Sequence, residues 1–186
     1  MDIKGTQTAE NLRKALAGES IARNKYTYFA MAARANGDEE AATAFEQMAK
    51  NEMMHAKFWF ELLYGKPTDT KESLTQAAMG EYSEWHDMYP SFAAQAREEG
   101  LEDIAVMFEK VAAIERNHEG RFMTLLARLT QDTPEQVPAP AQTEPAPRQK
   151  KTGYRCQFCG AVFEDRPDLC DVCQAIGAFD LVEYYE

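Results

Sequence analysis

Apolar residues recur at helical spacing through the first two thirds of the chain. In one stretch they fall at Ile104, Met107, Phe108, Val111, Ile114, Phe122, Leu125 and Leu129, the one-sided pattern of an amphipathic helix. Residues 6–130 are otherwise rich in Ala, Glu, Met, Leu and Lys, which are strong helix formers. Three breaks divide them. Asn36–Asp38 offers a glycine stop and then an aspartate cap. The segment 64–73 holds Gly65 and Pro67, followed by two candidate capping boxes, Asp69 with Glu72 and Ser73 with Gln76. Gly100 is the third break. The pattern predicts four helices near 7–36, 38–64, 73–99 and 101–130, arranged as a four-helix bundle. Pro90 lies inside the third pattern and should kink the helix or remove one of its backbone hydrogen bonds.

The pattern then stops. Residues 133–151 hold five of the eight prolines and no aromatic, which predicts an extended, semi-stiff linker. From Gly153 the chain is aromatic, with Tyr154, Phe158, Phe163, Phe179, Tyr184 and Tyr185, but too short to fold on apolar burial alone. A bound metal would supply the missing stability. The sequence therefore reads as a helical domain over 1–132, a linker over 133–152 and a small metal-stapled ribbon over 153–186.

Composition narrows the function. The net charge is −11, from 20 basic and 31 acidic residues with no basic cluster, which argues against nucleic acid and anionic membranes as partners. The first residues carry no apolar run and no segment is long enough to span a bilayer, so a cytoplasmic location is expected. The four cysteines fall between Cys156 and Cys173, which favours metal binding in a reducing compartment over disulfides.

Two kinds of metal chemistry follow. Cys156 and Cys159, then Cys170 and Cys173, form two CxxC pairs that place four thiolates around one tetrahedral metal. A structural zinc or a redox-active iron both suit such a site, and only the iron carries electrons. Gly160 suits the tight turn after the first pair, because glycine tolerates positive φ. In the helical part, Glu52 and His55 form an ExxH, and so do Glu115 and His118. Glu19 lies 33 residues before Glu52 and Glu81 lies 34 before Glu115, an internal repeat. One Glu from each of two helices plus an ExxH from each of two others is the ligand set of di-iron carboxylate bundles. Met48, Met53, Phe58 and Trp59 surround the first ExxH and Val111, Ile114 and Phe122 the second, so inward carboxylates are expected to be paired or metal-bound. His86 is expected to stay outside the ligand set.

The segments "GESIARNKYTYFA", "NEMMHA", "EYSEWHDMYPSFAAQAREEG" and "IERNHEGRF", followed by the CxxC pairs, resemble the rubrerythrin family over essentially the whole chain. The tail resembles that family's rubredoxin-like domain, with a shorter loop between the pairs and Asp171 where the family usually has proline. A carboxylate so near the metal would lower its reduction potential. The resemblance implies a mainly α fold, a ferritin-like four-helix bundle followed by a small rubredoxin-like β-ribbon. It implies two non-haem irons bridged by Glu52 and Glu115, with Glu19 on one iron and Glu81 and His118 on the other, and one further iron on the four cysteines. Glu84 becomes a seventh ligand, exchanging with His55 on one iron: His55 when reduced, Glu84 when oxidised. Tyr26 and Tyr89 match family tyrosines that hydrogen-bond ligand carboxylates. The implied activity is reduction of hydrogen peroxide to water in oxidative-stress defence. Electrons would arrive from rubredoxin or an NAD(P)H-dependent reductase by way of the cysteine centre. A ferritin-like ferroxidase or iron-handling protein is the alternative, against which the cysteine tail and Glu84 weigh; a non-enzymatic sensor or zinc-stapled binding protein is a third, which the metal content of the tail would separate.

A ferritin-like bundle also sets a length problem. Its second and third helices run parallel, so the connection must return about 26 Å along the bundle and cross at least ~10 Å sideways. Residues 65–73 reach at most about 30 Å. Exchange of helix pairs between two chains relieves the strain, which predicts a domain-swapped homodimer.

Overall fold

The structure is a computed structural model and describes residues 3–131 and 150–185; the expected linker, save its last three residues, lies outside them. The chain parts into two compact units, Met1–Thr68 and Asp69–Glu186. The first holds α1 (Gln7–Ala35) and α2 (Glu39–Tyr64), packed on each other. The second holds α3 (Thr70–Ser83), a π-helical segment (Glu84–Met88), α4 (Tyr89–Glu98), α5 (Glu102–Gln131) and three strands, β1 (Lys150–Cys156), β2 (Val162–Phe163) and β3 (Phe179–Tyr185).

Local chemistry fixes the helix starts. Thr6 caps α1 by accepting from the Ala9 N–H, and Asp38 caps α2 by accepting from Ala41. Of the two boxes considered for the third helix, Asp69 prevails: its Oδ1 takes the Glu72 N–H at 2.7 Å. The Ser73 hydroxyl instead donates back to the Asp69 carbonyl, so it is spoken for inside the first turn. The helix accordingly begins at Thr70 rather than near 73, and the connector shrinks to Gly65–Asp69.

The two helical hairpins repeat each other. Ala30 of α1 and Ala42 of α2 are buried, and so, each 63 residues on, are Ala93 and Ala105, which pack with Phe108. Small side chains at these points let the helix axes approach closely. Tyr26 and Phe29 pack on Phe45 with ring centroids 6.2 and 5.5 Å away; Tyr89 and Phe92 pack on Phe108 at 6.0 and 5.6 Å. Arg34 clasps Glu39 and Glu46, and Arg97 clasps Glu102 and Glu109, again 63 residues apart.

One turn breaks the symmetry. Glu19 to Tyr26 is seven residues and Glu81 to Tyr89 is eight. The extra residue is accommodated by the π segment, where the Tyr89 N–H donates to the Glu84 carbonyl five residues back. Pro90 follows it and cannot donate. The expected disturbance is thus a widened turn that lets the helix resume.

The strands form an antiparallel sheet in the order β2–β1–β3, with Tyr154 opposite Phe163 and Leu181. The mainly α class with a small cysteine-bearing β-ribbon is as the sequence implies.

Candidate metal centres

The four cysteines converge from two turns of the same design. After Cys159 the chain passes through Gly160 at φ +80°, and the Gly160 N–H donates to the Cys156 carbonyl at 3.0 Å. After Cys173 it passes through Gln174 at φ 63°, whose N–H donates to Cys170 at 2.9 Å. Cys156 Sγ lies 3.7 Å from Cys173 Sγ, and Cys159 Sγ lies 3.6 Å from Cys170 Sγ. A tetrahedral ion with metal–sulfur bonds of ~2.3 Å needs edges of ~3.8 Å, so the residues fit a single metal without rearrangement. Burial by itself would raise the Cys156 thiol, but the backbone N–H groups of Cys159 and Phe158 outweigh it and bring it down to about 7. Burial pushes the Cys159 thiol up. A metal there would have to displace that proton.

The carboxylates and histidines gather into two matching clusters, one per unit. In the first, His55 Nδ1 lies 2.8 Å from Glu52 Oε2 and 3.9 Å from Glu19 Oε1. In the second, His118 Nδ1 lies 2.6 Å from Glu115 Oε2 and 3.8 Å from Glu81 Oε2. Two ligands of one ion at bonds of ~2.1 Å stand at most ~4.2 Å apart, and the histidine–carboxylate separations of both clusters meet that limit. Burial, then the neighbouring charge of Glu115, a hydrogen bond with it and the charge of Glu84, push the Glu81 carboxyl up to about 7. A cation held among these carboxylates would bring that value down again.

Glu84 does not join the triplet of Glu81, Glu115 and His118. It stands at the first position of the π segment, near enough for its charge to act on both Glu81 and Tyr89. Burial first, then the charges of Glu84, Glu115 and Glu81, raise the Tyr89 hydroxyl, so it remains a proton donor among three carboxylates. Tyr26 sits half-buried with its ring on Phe45. His86 Nδ1 pairs with Asp87 Oδ1 at 2.8 Å and its ring stacks on Tyr82, away from the triplets.

The apolar shell expected around Glu52 and His55 is not closed. Met48, Met53 and Phe58 are 42, 42 and 50% exposed, whereas Ile114 beside Glu115 is 5% exposed. Helical spacing shows which face is apolar; it does not show what covers that face. A brace also goes unread in the sequence. The Trp85 indole N–H donates to Glu119 at 2.8 Å, and Arg116 lies over the Trp85 ring. It ties the residue after Glu84 to α5 across 34 positions, and neither partner is among the residues for which the sequence suggests a role.

Two paired-helix units with matched carboxylate–histidine clusters and a four-cysteine ribbon define a helical non-haem metalloprotein. The rubrerythrin family model matches residues 10–126 and 72–155. The chain is 37% identical to rubrerythrin-1 of Clostridium acetobutylicum over 92% of this chain and 91% of that one. It is 36% identical to rubrerythrin of Porphyromonas gingivalis over 92% and 87%. Among solved structures it is similar to nigerythrin in a fully reduced, all-ferrous state, at 29% identity, 94% and 86% coverage and a TM-score of 0.40. The chain belongs to the rubrerythrin family, iron-binding proteins with a role in oxidative stress. No helix among the described residues is long and apolar enough to cross a membrane.

Proposed function

We propose that the chain is a peroxidase that reduces hydrogen peroxide to two waters at the carboxylate–histidine site. Electrons would reach that site through the four-cysteine centre from rubredoxin or an NAD(P)H-dependent reductase, in a cytoplasm that keeps the thiols reduced. The observation that carries this reading is the presence, on one chain, of matched Glu–Glu–His clusters and a four-cysteine site with tetrahedral spacing.

Glu19, Glu52 and His55, with Glu81, Glu84, Glu115 and His118, would hold two irons, and Cys156, Cys159, Cys170 and Cys173 a third. Two ferrous ions bound there supply two electrons and the Lewis acidity that polarises the O–O bond. The residues provide the rest. Each peroxide consumes two protons; Tyr89, whose hydroxyl stays protonated beside three carboxylates, can donate one at its hydroxyl, with solvent supplying the balance. Glu84 offers an additional carboxylate from a turn that is not tied to α-helical spacing.

The kinetic test is direct. Anaerobically reduced protein with about three irons per chain is expected to be oxidised far faster by peroxide than by dioxygen. Faster oxidation by dioxygen would mean a ferroxidase, and zinc as the native metal of the tail would remove the electron route.

The two clusters lie on either side of Gly65–Asp69. In a parallel arrangement that connector would have to undo about 14 Å of α2 beyond His55 and about 16 Å of α3 before Glu81, and five residues reach only about 20 Å. We therefore propose a swapped homodimer, each site taking one cluster from each of two chains. Mixing a Glu52→Ala chain with a Glu115→Ala chain should then restore activity in the mixed dimer, which has one intact site. No recovery on mixing would refute the swap.

A further inference from the structure

Within the second unit the ribbon rests on one face of α5. Lys110 Nζ lies 2.9 Å from Asp171 Oδ2 and 3.5 Å from the Asp171 carbonyl oxygen. One turn further, Ile114 is 5% exposed because it is packed with Cys156, Ala161 and Cys170. One turn beyond that is His118. A Cβ added to Gly160 would come within 2.6 Å of its Nε2 and 3.3 Å of Ile114, so only a glycine lets the cysteine turn come this close. His118 thus has Nδ1 directed to Glu115 and Nε2 directed to the cysteine turn.

The repeat supplies an internal control. Positions 110, 114 and 117 of α5 correspond to Gln47, Asn51 and Met54 of α2, 63 residues earlier. There the Gln47 amide donates to Asn51 at 3.2 Å, so the polar groups satisfy each other along the helix and no apolar seat is offered. The second ExxH helix differs from the first at the positions that touch the ribbon. Asp171 belongs to this contact: its charge is committed to Lys110.

We propose that Lys110, Ile114 and Asp171 form a latch that seats the cysteine ribbon on α5 of its own chain and sets its orientation, with the Gly160 turn against His118. These are positioning residues. Their relevance to turnover rests on the reading that the cysteine centre feeds the carboxylate site; the latch itself does not. The latch belongs to unit 2 alone, and so holds whether or not the helix pairs are exchanged between chains.

Zero-length carbodiimide coupling of the full-length, iron-loaded protein tests the seating apart from activity. A Lys110–Asp171 amide should be recovered, by mass spectrometry of digests, from the single-chain band of a denaturing gel. Recovery only from the double-chain band, or not at all, overturns the proposal, whatever the peroxide kinetics. The charge pair is then tested by reversal. After one equivalent of peroxide is added to reduced protein, the return of the iron–thiolate absorption is followed. Lys110→Glu and Asp171→Lys are each expected to slow it about two- to fivefold, the range of an exposed ion pair. The reciprocal Lys110→Asp/Asp171→Lys protein should recover the original rate, and raising the salt concentration should mimic the single changes. Unchanged single variants, or a reciprocal variant as slow as they are, would also overturn the latch. A protein that cross-links within one chain yet fails to reduce peroxide would instead remove the peroxidase reading and leave the latch standing.

Discussion

Helices α1 and α2 and helices α3 to α5 match at 63-residue intervals in their alanine contacts, aromatic trios and arginine clasps, and part at a single turn. The first hairpin places its tyrosine seven residues after its single glutamate on an unbroken α-helix. The second inserts one residue, opens a π turn, and gains Glu84 and the Trp85–Glu119 brace. The second half thus differs from the first both by one added residue and by a carboxylate at Glu84, where the 62-residue offset of Glu19 and Glu81 places Ala22 in the first. The second helix of each hairpin shows the same economy, since α5 carries the ribbon seat where α2 carries a self-satisfied Gln–Asn pair.

The largest expected effect comes from erasing the asymmetry. Deleting the exposed His86 returns the glutamate–tyrosine spacing to seven and should restore a continuous α-helix, turning Glu84 by about 100° relative to α5. Iron loading should persist while peroxide turnover falls about 10- to 100-fold, the scale of a displaced ligand-supporting group. Metal analysis beside steady-state rates separates the two, and a deletion protein with full turnover would break the comparison.

The tyrosines come next. Tyr89 stands among three carboxylates and Tyr26 is packed on Phe45, so Tyr89→Phe should cost about tenfold in rate and Tyr26→Phe less. Equal losses in a peroxide assay would show that the two halves use their tyrosines alike.

The pH response of metal-free protein gives a smaller effect. The Glu81 carboxyl is raised in the folded state to about 7 from its ordinary 4.5, so folding favours its protonated form. That contribution is present below the ordinary value and is lost as pH rises through about 7. The melting temperature of metal-free protein should therefore fall between pH 5 and pH 8, and Glu81→Gln should flatten that fall.

The smallest concerns the residue that follows the second cysteine of each turn: Gly160 in one and Gln174, also at positive φ, in the other. Gln174→Gly should relieve backbone strain and raise stability by about 0.5–1 kcal/mol, readable as a higher melting temperature of the loaded protein. A loss of stability would mean that the Gln174 side chain holds more than its backbone suggests.

Much of this was legible in the residues themselves. Caps at Asp38 and Asp69, the stop at Gly37 and the two CxxC turns follow from local chemistry, and local chemistry is what a sequence displays directly. The paired ExxH motifs and the spacings of 33 and 34 were visible as well. That the odd residue is taken up as a π turn was not, because Pro90 is equally compatible with a kink. The exposure of Met48 and Phe58 was hidden because periodicity orients a face without covering it. Lys110 with Asp171 and Trp85 with Glu119 are contacts across 61 and 34 residues, and a motif shows its own residues without showing which distant side chain each will meet.

The π turn has one more consequence, for exchange with solvent. Tyr89 reaches back five residues for its carbonyl, and Pro90 brings no amide hydrogen at all, so a backbone acceptor within this turn goes without its usual donor. A carbonyl without its donor can turn to water, which makes this turn easier to open than α3 before it or α4 after it. Deuterium should enter sooner between 84 and 89 than in α3 or α4, a soft notch between two slow-exchanging helical blocks, and Glu84 is the residue at its edge.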